Sequence, residues 1–334
     1  MMFDLATIWA AIIAFAVLTY VILDGFDLGI GILFPFAETD QDRDTMMNSV
    51  APVWDGNETW LVMGGGGLFA VFPLAYAVVM PALYMPITLM LLALVFRGVA
   101  FEYRWRTERW KGVWDFAFAG GSFVAALCQG IALGALVQGI EVADRAYAGG
   151  WWDWLTAFSI LTGVAVVFGY ALLGSTWLVM KTSSDLQEQM QSFSWPLAFI
   201  TLALIGVVSL FTPLQNPVYF DRWFSWPQLG YSAVVPILLT YAAYRLFWGL
   251  KTNKDISPFL STLAIFILCF AGIGISFYPN IVPPSLSIAE AAAPDESLAF
   301  ALVGTVILIP MILAYTAYAY WVFRGKIDPS EGYH

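Results

Sequence analysis

Histidine is almost absent from this chain of 334 residues, and the only one is the last residue, His334. Hemes, copper ions and catalytic zinc ions are most often held by histidine or cysteine side chains. Cysteine is also scarce, and Cys128 and Cys269 both lie in apolar runs, where small packing residues without a disulfide are expected. The sequence therefore predicts no catalytic residue and no metal or cofactor ligated by this chain alone.

Charge is the second shortage, since only 11% of the residues are charged whereas 60% are hydrophobic. Soluble domains carry about 25% charged residues. Aromatic residues reach 17%, which is typical of membrane-interface belts. The net charge of −10 argues against nucleic acid as a partner. We interpret the chain as an all-α polytopic membrane protein whose first helix is retained, because it has neither a basic leader nor a small-residue cleavage site.

Nine apolar runs are long enough to cross a membrane, which takes about 20 residues each. The loops between them are short, so residues 1–334 are predicted to form a single membrane domain. The predicted spans are 7–36, 57–75, 77–104, 112–139, 156–180, 195–212, 230–249, 257–278 and 298–323. The second and third spans are separated by the region around Pro73, because proline breaks helices.

Lysine and arginine residues predict the orientation, because they are enriched in loops on the inner side of the membrane. If the N-terminus lies outside, the outer loops hold only Arg145 and Arg222, and Arg97 lies within a span. The inner side then holds the other eleven of the 14 basic residues, namely Arg43, Arg104, Arg106, Arg109, Lys111, Lys181, Arg245, Lys251, Lys254, Arg324 and Lys326. This asymmetry predicts an outer N-terminus and an inner C-terminus.

Two acidic pairs interrupt the apolar runs. Asp24 and Asp27 lie three residues apart in the string DGFDLGIG and share one helix face near the inner end of the first span. They indicate either proton handling or a structural hydrogen-bond cluster. Asp55 and Glu58 lie in WDGNETW, at the start of the second span, where acids also cap helices. The glycine run 64–67 that follows indicates a close helix contact. The two acids would then line the opening of a polar path at the inner side of the membrane.

Arg97 lies well inside the third predicted span, and an arginine in the membrane needs an anion. Asp24, Asp27 or Glu102 could supply it, as could a cofactor propionate or an acid of another chain, and we expect a carboxylate. The basic residues from Arg104 to Lys111 are interpreted as determinants of topology that contact lipid headgroups. The C-terminal string AYTAYAYWVFRGK is interpreted as an aromatic and basic anchor.

These strings together resemble subunit II of the cytochrome bd-type quinol oxidases. The similarity rests on DGFDLGIG, WDGNETWL and FRGVAFEYR, and on the later strings SFYPNIVPPSLSI and PMILAYTAYAYWVFRGKI, so it covers essentially the whole chain. Glu58 and Glu102 resemble the cyanide-insensitive branch, whereas other members of the family have Gln and Asp at these positions. The resemblance implies two four-helix bundles plus one peripheral helix.

The resemblance also implies partners and cofactors. It implies a heterodimer with a heme-bearing subunit I in a bacterial inner membrane, with small single-span accessory subunits in some members. Subunit I would hold two b-type hemes and one d-type or b-type heme, and the complex would oxidise quinol and reduce dioxygen to water. A structural ubiquinone is bound by subunit II in some members, but no motif here identifies its contacts.

The family further implies proton uptake from the cytoplasm through this subunit. The matching positions are Asp27, Asp55, Arg97 and Glu102, and the neighbours Asp24 and Glu58 lie in the same strings. A free-standing secondary transporter or cation/proton antiporter is the alternative, since buried acids and an arginine would serve it equally well. No paired repeat is visible, and the acids gather in one half of the chain, which favours the oxidase subunit.

Overall fold

The computed structural model describes residues 4–327, so His334 lies outside the described residues. Most of this part of the chain is helical, as its apolar runs predict. The α-helices are α1 Leu5–Leu33, α2 Asp40–Asn48, α3 Trp54–Val71, α4 Pro73–Ala82, α5 Tyr84–Tyr103, α6 Lys111–Gln138, α7 Ala157–Lys181, α8 Ser184–Gln215, α9 Pro217–Phe224, α10 Gln228–Ser232, α11 Val234–Lys251, α12 Ser257–Phe277, α13 Ile288–Ala291 and α14 Asp295–Val322. Short 3₁₀ turns, Phe34–Phe36 and Arg104–Arg106, follow α1 and α5.

Eight helical segments within residues 4–327 are long and apolar enough to cross a membrane. They correspond to eight of the nine predicted spans. The remaining prediction, 57–75, falls on α3, whose 18 residues begin with the polar string WDGNETW and continue through four glycines. The predicted span 77–104 is divided at Leu83 into the short helix α4 and the longer α5. The chain is thus an all-α polytopic membrane protein.

Helix α7 lies at the centre of the packing and contacts α1, α6, α8 and α12. Glycines allow its close approach to α1, because a side chain at Gly29 would overlap the backbone of Tyr170, and one at Gly174 would overlap the backbone of Gly29. Phe26 of α1 stacks on Trp177 of α7 with ring centroids 4.2 Å apart. These contacts place α1, which carries the first acidic pair, in the interior.

The two ends of the helix assembly differ in character. At the basic end, α1, α5, α7 and α11 finish at Leu33, Tyr103, Lys181 and Lys251. The opposite end carries two antiparallel hairpins, which we call the hairpin end. Strands β1 Val142–Ala143 and β2 Ala146–Tyr147 form the first hairpin, and β3 Asn280–Val282 and β4 Leu286–Ser287 form the second.

Helix α14 is peripheral, and Leu298 is its only buried residue. It lies against α1 and α3. Near the hairpin end the indole nitrogen of Trp9 donates to the carbonyl oxygen of Leu298 at 3.0 Å. At the basic end Lys181 Nζ donates to the carbonyl oxygen of Phe323 at 2.5 Å. The last helix is therefore fastened to the core at both of its ends.

Candidate functional site: a buried cluster of acids and arginine

Asp24 and Asp27 lie on one face of α1, and both are fully buried. The face is set by their spacing, since residues three apart on a helix are neighbours. Helix α3 begins beside them, because the chain turns back through α2 before Trp54. The first and second acidic strings are thus brought together at the basic end of the molecule.

Arg97 of α5 is also fully buried and joins the acids. Its Nη1 lies 2.7 Å from Glu58 Oε1 and 3.8 Å from Asp24 Oδ1, and its Nη2 lies 4.0 Å from Asp27 Oδ2. The expectation that a carboxylate pairs with Arg97 is met by these three acids. Glu58 is the closest partner, although the sequence interpretation did not propose it.

The cluster changes from exposed to buried along α3. Asp55 is exposed in the first turn of that helix, and the side chain of Glu58, one turn further, is 23% exposed. Asp24, Asp27 and Arg97 lie beyond Glu58 in the interior. The structure therefore gathers five of the six proposed site residues into a series that begins at the surface. No side-chain cap is formed at the start of α3.

Glu102, the sixth proposed residue, lies apart from this series. It is exposed and accepts a hydrogen bond from Arg106 at 3.3 Å, four residues further along the chain. Glu102 lies five residues after Arg97, more than one helical turn away, and the two side chains form no ion pair. The expectation that Glu102 is a partner of Arg97 is therefore not met by the geometry.

Two sets of amide and tyrosine side chains extend the cluster, and neither set was predicted from the sequence. Asn57 Nδ2 donates to Asp27 Oδ2 at 2.7 Å, and the Tyr320 hydroxyl donates to Asn57 Oδ1 at 2.9 Å. Asn57 lies between Asp55 and Glu58 in WDGNETW, so its position in the sequence could have indicated that it belongs to the cluster. Tyr320 belongs to the string interpreted only as an anchor, so its approach to Asn57 is visible only in three dimensions.

The second set lies on the other side of Asp24. Tyr170 of α7 donates its hydroxyl to Gln129 Oε1 at 2.7 Å, and Gln129 Nε2 donates to the Tyr20 hydroxyl oxygen at 2.7 Å. Tyr20 lies one helical turn before Asp24, on the same face of α1. The polar cluster thus connects to α6 and α7 in the interior.

Aromatic rings enclose the arginine. The Arg97 guanidinium lies 5.4 Å from the centre of the Phe101 ring and 5.9 Å from that of Phe118. Trp54 stacks on Phe101 at 4.7 Å. Such rings attract a cation while excluding water. This environment strengthens the interaction between Arg97 and its carboxylates, because charges interact more strongly where water is excluded.

Several atoms of the cluster have no hydrogen-bond partner within the described residues. They are both carboxylate oxygens of Asp24, Oδ1 of Asp27, and Nε and Nη2 of Arg97. Buried polar groups are normally paired, and an unpaired one calls for an explanation such as a bound water or ion, strain or a catalytic role. Three acids facing one arginine would carry a net charge of −2 if all were ionised. Gain and loss of protons is the chemistry that this arrangement favours.

A second buried arginine, Arg104, has a different environment. Its side chain is fully buried between Asp44 and Asp115, with nitrogen–oxygen distances of 2.5 Å to each. Arg104 was interpreted as a lipid-facing residue, and the ion pairs correct this, since they tie α2 and α6 to the end of α5. Arg43 and Lys111 flank the network, and the hydrogen bond from Arg43 lowers the pKa of the exposed Asp40 carboxyl, helped by the charge of Lys111.

The described residues do not form a metal centre. Within residues 4–327 no group of three or more His, Cys, Asp and Glu side chains is arranged to hold a metal ion. Cys128 and Cys269 are unpaired, and each lies alone within its helix. These residues do not fit a heme or metal site.

Fold and site together define a class, a polytopic helical membrane protein with a buried cluster of three acids around one arginine. A model of the family described as cytochrome bd terminal oxidase subunit II matches residues 5–323, and the chain belongs to this family. It is therefore a component of a quinol:oxygen oxidoreductase complex of the bacterial inner membrane, which includes hemes and a subunit I partner.

Individual relatives agree with this assignment along the whole chain. The chain is 31% identical over 370 residues to cytochrome bd-I ubiquinol oxidase subunit 2 of Escherichia coli K12, covering 97% of this chain and 95% of that protein. It is 27% identical over 340 residues to cytochrome bd ubiquinol oxidase subunit 2 of Bacillus subtilis, covering 99% of each. The fold is similar to a chain of the bd oxidase from Geobacillus thermodenitrificans, with a TM-score of 0.75, 18% identity, and coverage of 96% and 99%.

Proposed function

We propose that this subunit conducts protons from the cytoplasm toward the oxygen-reducing centre of the complex, while subunit I ligates all the hemes. Dioxygen reduction consumes protons, and a reaction centre inside the membrane needs a polar route for them. This subunit would also support the structure of subunit I. Proton uptake from one side of the membrane would contribute to the proton motive force.

The observation that supports this role is the series of acids from Asp55 through Glu58 to the buried Asp24 and Asp27, arranged around Arg97. A proton relay needs groups that exchange protons without large rearrangement. Arg97 lowers the cost of burying negative charge here, and it remains protonated throughout. Because the cluster contains more acidic than basic side chains, its carboxylates can accept and release protons.

The direction of uptake rests on the proposed topology, with the N-terminus periplasmic and the C-terminus cytoplasmic. The basic end of the molecule would then face the cytoplasm, as the distribution of lysine and arginine favours. Asp55 would receive protons from cytoplasmic water and pass them to Glu58. Asp24 and Asp27 would accept them at the end of the route that this chain provides.

Other parts of the proposal concern the whole complex. Subunit I would hold two b-type hemes and one d-type or b-type heme, and the substrates would be ubiquinol and dioxygen. Ubiquinone bound structurally by this chain and small single-span accessory subunits are further proposals from the family. Glu58 and Glu102 associate the chain with the cyanide-insensitive branch, which inhibition of the purified oxidase by cyanide would test.

Substitution of Asp27 by asparagine tests the proton route. Asp27→Asn keeps the shape and hydrogen bonds of the residue but cannot exchange the proton. We expect quinol oxidase turnover to fall about tenfold, or ~1.4 kcal/mol of barrier, with normal heme content. Asp55→Asn should have a milder effect, because Glu58 and water can substitute at the exposed start of the route. Oxygen consumption per heme across a range of pH measures both.

The matched control is Asp221→Asn, the same change at an exposed acid of α9, which should leave turnover unchanged. Glu58→Gln should slow turnover more than Glu102→Gln, because only Glu58 contacts Arg97. A wild-type rate and pH profile for Asp27→Asn would reject this route. Loss of heme in that variant would instead assign Asp27 a structural role.

The alternative function, a free-standing secondary transporter or cation/proton antiporter, is distinguished by purification in mild detergent. We expect a heme-containing complex with a second large subunit. A colourless protein purified alone, active in cation/proton exchange after reconstitution into vesicles, would favour the transporter.

A further inference from the structure

Tyr320 links the peripheral helix α14 to the buried acids. Its hydroxyl donates to Asn57 Oδ1 at 2.9 Å, and Asn57 Nδ2 donates to Asp27 Oδ2 at 2.7 Å. Tyr320 stands beside the hydrophobic core on a helix that is otherwise largely exposed, and Asn57 is 1% exposed. A residue of the last helix therefore lies two hydrogen bonds away from a carboxylate of the first.

The direction of the two hydrogen bonds that join Tyr320, Asn57 and Asp27 follows from the chemistry of these groups. While Asp27 is ionised it only accepts hydrogen bonds, so the Asn57 amide presents its NH₂ group to it. The amide oxygen then faces the opposite way and requires a donor, which Tyr320 supplies. The Asn57 amide nitrogen also lies 3.5 Å from the carbonyl oxygen of Leu23, which is a long and weak contact. Without the shorter hydrogen bond from Tyr320, the amide could rotate and present its oxygen to Asp27, an arrangement that repels an ionised carboxylate. The Tyr320 hydroxyl thus holds the amide in the orientation that suits a charged Asp27.

The position of Tyr320 is itself fixed by contacts at the basic end. Lys181 Nζ donates to the carbonyl oxygen of Phe323, and the backbone NH of Ile327 donates to the carbonyl oxygen of Lys181 at 2.8 Å. Phe323 lies less than one turn after Tyr320. The Tyr320 ring also meets those of Phe26 and Trp177 edge to face, with centroids 6.4 and 6.2 Å apart. Helix α7 therefore determines where the hydroxyl stands.

We infer that Tyr320 and Asn57 are positioning residues for Asp27, so that the docking of the last helix controls how Asp27 holds and releases its proton. The inference rests on the proposed function. Asp24, Glu58 and Arg97 are the other charged groups that face Asp27, from α1, α3 and α5. None of them is hydrogen-bonded to its Oδ2, which leaves Asn57 as the direct partner within the described residues.

A double-mutant cycle on the purified heterodimer tests the inference. Tyr320→Phe should lower turnover per heme about threefold, and Asn57→Leu about tenfold, because it removes the donor to a charged group. If Tyr320 acts through Asn57, Tyr320→Phe should have no further effect in the Asn57→Leu background. Multiplication of the two effects in the double variant would overturn the inference.

The matched control is Tyr219→Phe. Tyr219 is fully buried, whereas Tyr320 is half-buried, and the Tyr219 hydroxyl donates to the carbonyl oxygen of Val137 at 3.0 Å, away from the acids. This variant should keep the wild-type rate and pH profile, whereas Tyr320→Phe should move the pH profile of turnover. A wild-type profile for Tyr320→Phe would reject the positioning role while leaving the proton route intact, provided that Asp27→Asn is slow.

Infrared difference spectroscopy supplies a readout that does not depend on turnover and requires little assembled protein. The carboxyl C=O band of Asp27 is identified by its loss in Asp27→Asn. The band should shift in Tyr320→Phe and stay in place in Tyr219→Phe. An unchanged band in Tyr320→Phe would overturn the inference. A normal turnover in Asp27→Asn would reject the proposed proton route itself.

Discussion

Two buried arginines show how the same side chain serves different purposes. Arg104 is held by two carboxylates at 2.5 Å, and each of them comes from a different helix. Arg97 faces three carboxylates, of which only Glu58 lies within hydrogen-bond distance. The first arrangement fastens three elements together. The second leaves unpaired acceptors and an excess of acid, which suits a site that exchanges protons.

Replacement of Arg104 should therefore affect stability. Arg104→Leu leaves Asp44 and Asp115 without their buried partner, and breaking such a pair costs on the order of 3 kcal/mol. We expect a lower midpoint of thermal unfolding and less heme-loaded complex, with normal turnover per heme. Arg106→Leu is the control, because that side chain is 75% exposed and surface pairs contribute little. Equal stability of the two variants would contradict the structural role.

Helix α3 is the element that joins the acid cluster to a glycine-rich surface. Gly64 and Gly67 face Val17 and Ile13 of α1, as the close-contact interpretation of this run predicts. Gly65 and Gly66 face away, and a Cβ atom added at either position would meet no atom of the described residues within 4 Å. The run thus serves one helix contact within the subunit and leaves its other face open.

We expect the open face of α3 to contact subunit I. Gly65→Leu should lower the yield of heme-loaded heterodimer, because a bulky side chain prevents close helix approach. It should leave the isolated chain as stable as wild type, since no described residue of this chain is displaced. Gly206→Leu on α8, where an added side chain is equally unobstructed, is the control. Normal heterodimer yield for Gly65→Leu would reject this placement of the partner.

The molecule as a whole combines a nearly uncharged membrane interior with one concentrated polar site. Within residues 4–327, eight helical segments are apolar enough to cross a membrane, and few ionisable residues lie inside them. Within residues 4–327 nothing is arranged as a metal site, and the single histidine stands at 334. Under the proposed function, the hemes of the complex are held by subunit I.

Expression of this chain without subunit I should yield protein with no Soret absorption band. The described helices contain no histidine, which is the most common ligand of heme iron. Coexpression with subunit I is the control and should give the full heme spectrum. Stoichiometric heme in the isolated chain would contradict this prediction.

The sequence alone determined the helical membrane class, the family and the acids on α1 and α3. Length and apolarity suffice for a span, because the bilayer forces every backbone polar group to pair within its own helix. The strings around Asp27 and Asp55 also stand out, since ionisable residues are rare in such surroundings.

Only the tertiary structure decided which side chains meet. Glu58 rather than Glu102 became the close partner of Arg97 because α3 packs against α1, while α5 packs against α6, which in turn contacts α1. Tyr320 reaches Asn57 across 263 residues of chain. Membrane helices are nearly uniform in apolarity, so their sequences specify that they span but encode their mutual contacts weakly, and those contacts emerge from the packing of the complete set.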